Sequence, residues 1–132
     1  MTWTERRGKY NARRTEYGGR KYDSMHEAAV AYELDMMLRA GEITEVRPQV
    51  TFDLNVHGHH VTRHRVDFLV TLKNGSQKVV EAKGMPTPEW SIKRELFIAL
   101  YPNIPYEVVT QKARWYAKKK RAGADIPLRM VP

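Results

Sequence analysis

The chain has 132 residues, enough for one domain with a real core and too few for two. At 42% hydrophobic and without a cysteine it is globular in composition, which excludes a disulfide scaffold, a cysteine nucleophile and any thiolate metal site. No apolar run is long enough to cross a bilayer and no secretory leader is recognisable, so a cytoplasmic protein is expected, and the formal charge of +8 favours a polyanionic partner.

The charge is uneven. Residues 1–22 carry seven cations (Arg6, Arg7, Lys9, Arg13, Arg14, Arg20, Lys21) against two acids, and residues 112–132 carry seven more (Lys112, Arg114, Lys118, Lys119, Lys120, Arg121, Arg129) against one. The middle is slightly acidic. Basic arms around an acidic centre suit a protein that grips phosphates and concentrates carboxylates, although charged ends also simply solubilise. Trp3, Tyr10, Tyr17, Tyr22, Trp115 and Tyr116 interleave with these cations and could stack on bases or pin the arms to the body.

In chain order, residues 1–22 read as an extended basic arm with room for a hairpin at "YGGRKY". Ser24 as N-cap, Glu27 at N3 and Gly41 just past the end predict a helix up to Ala40. Three strands follow: Val50–Val56, His60–Leu72 and Ser76–Lys83, separated by His57-Gly58 and by Lys73-Asn74-Gly75. Thr87 as N-cap with Pro88 at N1 opens a second helix to about Leu100, stopped before Pro102. "YEVVT" (106–110) predicts a short strand reached by a crossover, hence parallel to "VVEAK". A basic helix over 113–121 closes the chain. The fold class is α/β, a mixed β-sheet flanked by helices in the order α-β-β-β-α-β-α, with a core at 23–112 between the arm (1–22) and a basic tail (113–132).

Within "VEAKG", Glu81 and Lys83 share a strand face with Val79. In the strand before, Val66, Phe68 and Val70 form the apolar set, and Arg65, Asp67 and Leu69 alternate with them. The turn decides whether Asp67 meets Glu81. A two-residue Asn74-Gly75 turn pairs Asp67 with Ala82; a three-residue loop pairs Leu72 with Ser76 and so Asp67 with Glu81. Asn followed by Gly suits the longer loop, a type I turn closed by a left-handed glycine. Glu27 leads the apolar stripe of the first helix (Val30, Ala31, Leu34, Leu38), while His26, Glu33, Asp35 and Arg39 point elsewhere. A capping box explains Glu27, a catalytic role explains it too, and the two are compatible.

"RVDFLV" followed by "VVEAKG" resembles the PD-(D/E)XK nuclease superfamily, in which an acid on one strand precedes Glu-x-Lys on the next. The element order and the early helical glutamate match that family's restriction-endonuclease-like core. "YDSMHEA", "EAKG" and "KRELF" with its following "YP" look like small phage nucleases, similar in plan to archaeal-type Holliday junction resolvases. Roughly residues 20–112 are covered. Val66 stands where the family name carries proline.

The resemblance implies a Mg²⁺-dependent endonuclease, with Mn²⁺ as a substitute, and catalytic residues Glu27, Asp67, Glu81 and Lys83. Asp67, Glu81 and the Ala82 carbonyl would hold the metal with Glu27 completing the site, and Lys83 would orient the attacking water or stabilise developing charge. Branched DNA would be the substrate, cut by paired symmetric nicks from a homodimer, with no membrane or small-molecule substrate, in recombination or repair and in a bacterial host cytoplasm if the chain is phage-encoded. A general, flap- or duplex-specific nuclease and a non-catalytic nucleic-acid-binding domain are the alternatives. A solvated strand face would account for Glu81 and Lys83 but for neither Asp67 nor Glu27.

Other features are weaker. Lys93 and Arg94 could reach a DNA backbone from the second helix or be ordinary surface cations. His57, His59, His60 and His64 invite a zinc reading, but His60 and His64 share a strand face while the others fall at a turn, which favours a turn and phosphate contacts. Met25, Met36 and Met37 read as core filler.

Overall fold

The computed structural model describes residues 15–17, 19–22, 24–110 and 118. Its elements are β1 (Thr15–Tyr17), β2 (Arg20–Tyr22), α1 (Met25–Arg39), β3 (Ile43–Val56), β4 (His59–Leu72), β5 (Gln77–Ala82), α2 (Pro88–Leu100) and β6 (Tyr106–Val109). β3 to β6 form one sheet in that order, antiparallel except for the parallel β5–β6 pair, and β1–β2 form a separate hairpin. The expected α-β-β-β-α-β order and mixed sheet are present, while the basic helix expected over 113–121 lies outside the described residues apart from helical Lys118. Among the described residues no helix is long and apolar enough to cross a membrane.

Local chemistry sets the boundaries. The Ser24 hydroxyl accepts from the Glu27 N–H at 3.1 Å and starts α1. At the other end Gly41, with φ +76°, donates to Leu38 and Glu42 donates to Met37, a Schellman stop. Thr87 caps α2 by accepting from the Trp90 N–H, with Pro88 in the first turn where its missing N–H costs nothing. Between β4 and β5 the Gly75 N–H donates to Leu72 O, Leu72 N–H donates to Ser76 O, and Gly75 has φ +86°. That is the three-residue loop, and the register follows from it: Phe68 pairs with Val80, which one step further sets Asp67 opposite Glu81.

The sheet separates two cores. α1 lays Ala28, Ala31 and Leu34 on Ile43, Val46, Phe68, Val70 and Val80. On the opposite side Phe97 of α2 packs on Leu54, Val66, Leu69 and Val79. Val66 and Phe68 therefore lie on opposite sides, although simple alternation puts them together. The reason is a rotation of the β3–β4 pair. Gln49 has φ +56°, and the regular pairs Pro48–Phe68 and Val50–Val66 flank it. On one side of this rung Val46 and Phe68 face α1; on the other Val50, Phe52, Leu54 and Val66 face α2.

Three further readings change. β3 begins at Ile43, seven residues before the expected strand, because Val46 and its neighbours pair with the second half of β4. "YGGRKY" is the expected hairpin turn, and its Tyr17 and Tyr22 are buried against α1 and Phe68, so these two residues of the expected arm pack on the body. Tyr17 also explains why Asp35, read as off the apolar face, is fully buried: the Tyr17 hydroxyl donates to Asp35 Oδ2 at 2.9 Å, and Arg39 meets the same oxygen at 3.3 Å. His26 is likewise buried, its Nε2 2.6 Å from the Val109 carbonyl. Met25 and Met37 pack on the core, whereas Met36 is exposed.

Candidate active site

Where the sheet rotates, Asp67 lies within electrostatic reach of two other carboxylates, Glu27 and Glu81. Glu27 arrives from the first turn of α1, Asp67 from the middle of β4 and Glu81 from the end of β5. A regular sheet would hold α1-side and α2-side groups apart. At the Gln49–Asp67 rung the strand pair turns over, so a carboxylate at this position can meet partners from both layers.

Each acid has an assigned holder. Gln49 Nε2 donates to Glu27 Oε2 at 3.2 Å. The Ala82 N–H donates to Asp67 Oδ2 at 2.9 Å, locking β4 to β5 beyond their last regular pair. The Trp90 indole N–H donates to Glu81 Oε2 at 2.6 Å. The charges of Glu27 and Glu81 both act on Asp67.

Burial pushes the Asp67 carboxyl far above the ordinary range, aided by its bond to Glu27 and by the charges of Glu27 and Glu81, with the Ala82 amide opposing. Burial raises Glu81 too, against the indole of Trp90, the charge of Lys83 and a hydrogen bond from Tyr106. Lys83 follows β5, its N–H donating to Val109 O at 3.2 Å and its Nζ lying 5.1 Å from the Trp90 ring centroid. Trp90 thus holds Glu81 by its edge and faces Lys83 with its ring. Arg94 lies 5.8 Å from the same ring and 5.7 Å from that of Tyr106.

A second layer lies behind Glu81. His64 is buried, with Nε2 2.8 Å from the Tyr106 hydroxyl. His64 thus ties β4 to Tyr106 of β6 behind the carboxylates. Burial, then Lys93 and Lys83, lowers the His64 imidazole to about 4 and keeps it neutral. The shared face expected for His60 and His64 is absent. A register shift opposite Leu54 and Asn55 makes Val61 an extra residue, so His60 turns outward to Asn55 at 2.9 Å while His64 turns inward.

Glu27, Asp67, Glu81 and Lys83 are therefore brought into one neighbourhood. Trp90, Gln49, Tyr106 and His64 were not recognisable as parts of it, because each acts across a contact distant in sequence; only the position of Trp90, in the first turn after "EAKG", gave a hint. The donors that could hold a metal are the Asp67 and Glu81 carboxylates, the Ala82 carbonyl and Glu27. Among the described residues no three or more His, Asp or Glu side chains stand together as a ready-made metal cage.

Of the cations expected to bind nucleic acid, Lys93 is on α2, paired with Glu89 at 3.1 Å, and Lys118 is exposed. Arg20 and Lys21 are in β2, but their side chains lie outside the described set, as do Arg6, Arg7, Lys9, Arg13, Arg14, Arg114, Lys119, Lys120 and Arg121 altogether.

No curated protein and no solved structure matches the chain. Residues 7–118 match the family described as "Protein of unknown function (DUF1064)", and the chain belongs to that family.

Proposed function

We propose that the chain is a Mg²⁺-dependent DNA endonuclease that hydrolyses phosphodiester bonds, with a four-way junction as substrate and a homodimer supplying paired nicks. The observation that carries this reading is that Asp67 on β4 lies within electrostatic reach of Glu27 from α1 and of Glu81 from β5, with Lys83 acting on Glu81. The resemblance of "RVDFLV" and "VVEAKG" to PD-(D/E)XK nucleases supports it, as does the basic character of both chain ends.

The donor set fits a hard divalent cation. All its atoms are oxygens, and Mg²⁺ is commonly held by one or two carboxylates together with water and substrate phosphate, so a preformed cage of three side chains is not needed. Asp67, Glu81 and the Ala82 carbonyl would hold it, with Glu27 completing the site; Mn²⁺ would serve in its place. When bound, such an ion neutralises phosphate charge and acidifies water.

The protein's own groups do the rest. The Ala82 amide and the Trp90 indole fix the two strand carboxylates, so little reorganisation is left for the reaction itself. Glu27, held by Gln49, would accept a hydrogen bond from the attacking water. Lys83 contributes positive charge where the phosphorane develops negative charge.

The test compares the wild type with Asp67→Asn on a labelled four-way junction, its component duplex and a flap, with Mg²⁺ and with chelator. Paired Mg²⁺-dependent nicks on the junction, lost in the variant while binding survives, are expected. Equal cutting of all three substrates would remove the junction preference and leave a general nuclease; no cutting of any would overturn the reading.

A further inference from the structure

We propose that the projecting half of the β3–β4 hairpin is a duplex-binding ribbon that seats in a groove of the DNA beside the carboxylate cluster. This rests on the nucleic-acid reading above and adds a surface to it.

β5 pairs with β4 only over 68–71, so residues 59–66 have β3 as their sole strand neighbour among the described residues. The pair runs on from the Gln49–Asp67 rung for seven residues of β3 (50–56) and eight of β4 (59–66, with Val61 the extra one), about 24 Å. It ends in a tight two-residue turn, His57 at φ +50° and Gly58 at φ +78°. One face is closed: Phe52 packs on Phe97 and Tyr101 at centroid distances of 5.0 and 5.3 Å, and the Tyr101 hydroxyl donates to Asp53 O. α2 therefore braces the ribbon against the body.

The other face is open and polar. Its rungs are Thr51–Arg65, Asp53–Arg63 and Asn55–His60, all exposed. Arg63 and Arg65 outnumber Asp53, which sits 3.7 Å from Arg63, and Asn55 and His60 add hydrogen-bonding groups. Cations and amides on a braced two-stranded ribbon match the phosphates and base edges of a groove about 12 Å wide, which admits such a ribbon. The extra residue at Val61 strengthens the twist that following a groove requires. Arg65 is two residues before Asp67, so DNA lying along this face runs directly to the carboxylates.

The experiment measures binding of labelled duplex and four-way DNA to the full chain in chelator, where no cutting intervenes, across a salt series. Arg63→Ala/Arg65→Ala is compared with Lys73→Ala, which removes a cation from the loop at the opposite end of the sheet. The double variant is expected to bind about tenfold or more weakly, with its salt slope reduced by about two, and Lys73→Ala to match the wild type. Thermal melts confirm that the exposed substitutions leave the fold intact. Unchanged affinity and slope in the double variant, equal weakening by Lys73→Ala, or no DNA binding by the wild type would each overturn the proposal. A chain that cuts DNA yet is indifferent to the double variant loses the ribbon and keeps the nuclease; one that binds through the ribbon and cuts nothing loses only the nuclease.

Discussion

Gln49, at φ +56°, stands at the rung of Asp67, and there the β3–β4 pair exchanges its two faces. The same Gln49 side chain donates to Glu27, whose charge acts on Asp67. A non-glycine residue in this left-handed region is costly, of order 1–3 kcal/mol, and persists only where its surroundings hold it. Here the cost accompanies the one place in the sheet where acids from both layers can meet.

Neutralising one of these acids should stabilise the metal-free protein. Asp67→Asn removes a buried carboxyl that is crowded by Glu27 and Glu81, so its melting temperature is expected to equal or exceed that of the wild type while cleavage is lost. Mg²⁺ at a hundred times its dissociation constant should stabilise the wild type by about 2.7 kcal/mol and leave the variant unmoved. Melts of both proteins with and without Mg²⁺ check this; an equal metal response in the two would remove Asp67 from the ligand set.

Trp90 separates two roles by its edge and its face. Trp90→Phe keeps a ring beside Lys83 and deletes the N–H that holds Glu81, and should lower the cleavage rate by about 10- to 100-fold, as loss of an outer partner of a ligand does. Trp90→Leu removes both contacts and should be worse. Rates and Mn²⁺ affinity measured on both variants distinguish them, and wild-type values for Trp90→Phe would show that the 2.6 Å bond to Glu81 is dispensable.

His64 makes stability depend on mildly acidic pH. Its folded value of about 4 lies below the ordinary 6.5, so between these values the unfolded chain binds a proton that the folded one refuses. The stability associated with neutral His64 is complete above pH 6.5 and is lost as pH falls toward 4. Lys83 and Lys93 enhance the effect, and Tyr106 shares its hydrogen bond. In denaturant titrations from pH 4 to 8, His64→Gln should show a shallower fall than the wild type; parallel profiles would contradict it.

Tyr17→Phe tests whether the hairpin belongs to the body. It removes the hydroxyl from Asp35 Oδ2 and leaves that buried carboxylate to Arg39, at an expected cost of about 1–3 kcal/mol. A change within error in the urea midpoint would mean that the hydroxyl bond to Asp35 adds nothing measurable beyond the packing of the ring.

Much of this architecture is legible because its causes are local. Ser24, Gly41, Thr87 and Pro88 mark helix ends through bonds to residues within a turn. Asn74-Gly75 fixes a loop whose length alone decides that Asp67 faces Glu81. Alternation was a less reliable guide, since it put Val66 with Phe68 and His60 with His64. The rotation at Gln49 and the extra residue at Val61 break the period of two, and neither carries a glycine or proline at the position itself to announce it.

By itself the sequence determined the order of the main elements, the helix ends and the β4–β5 register that sets Asp67 opposite Glu81, since each follows from neighbours a few residues away. Only the tertiary structure decided that Trp90 holds Glu81, that Gln49 holds Glu27, that Tyr17 reaches Asp35 and that His64 stands behind Tyr106. These are contacts across 9 to 42 residues of chain, made by side chains whose types are common in any core. They depend on how two helices and a hairpin close over a rotated sheet, a property of packing that no short stretch of chain encodes.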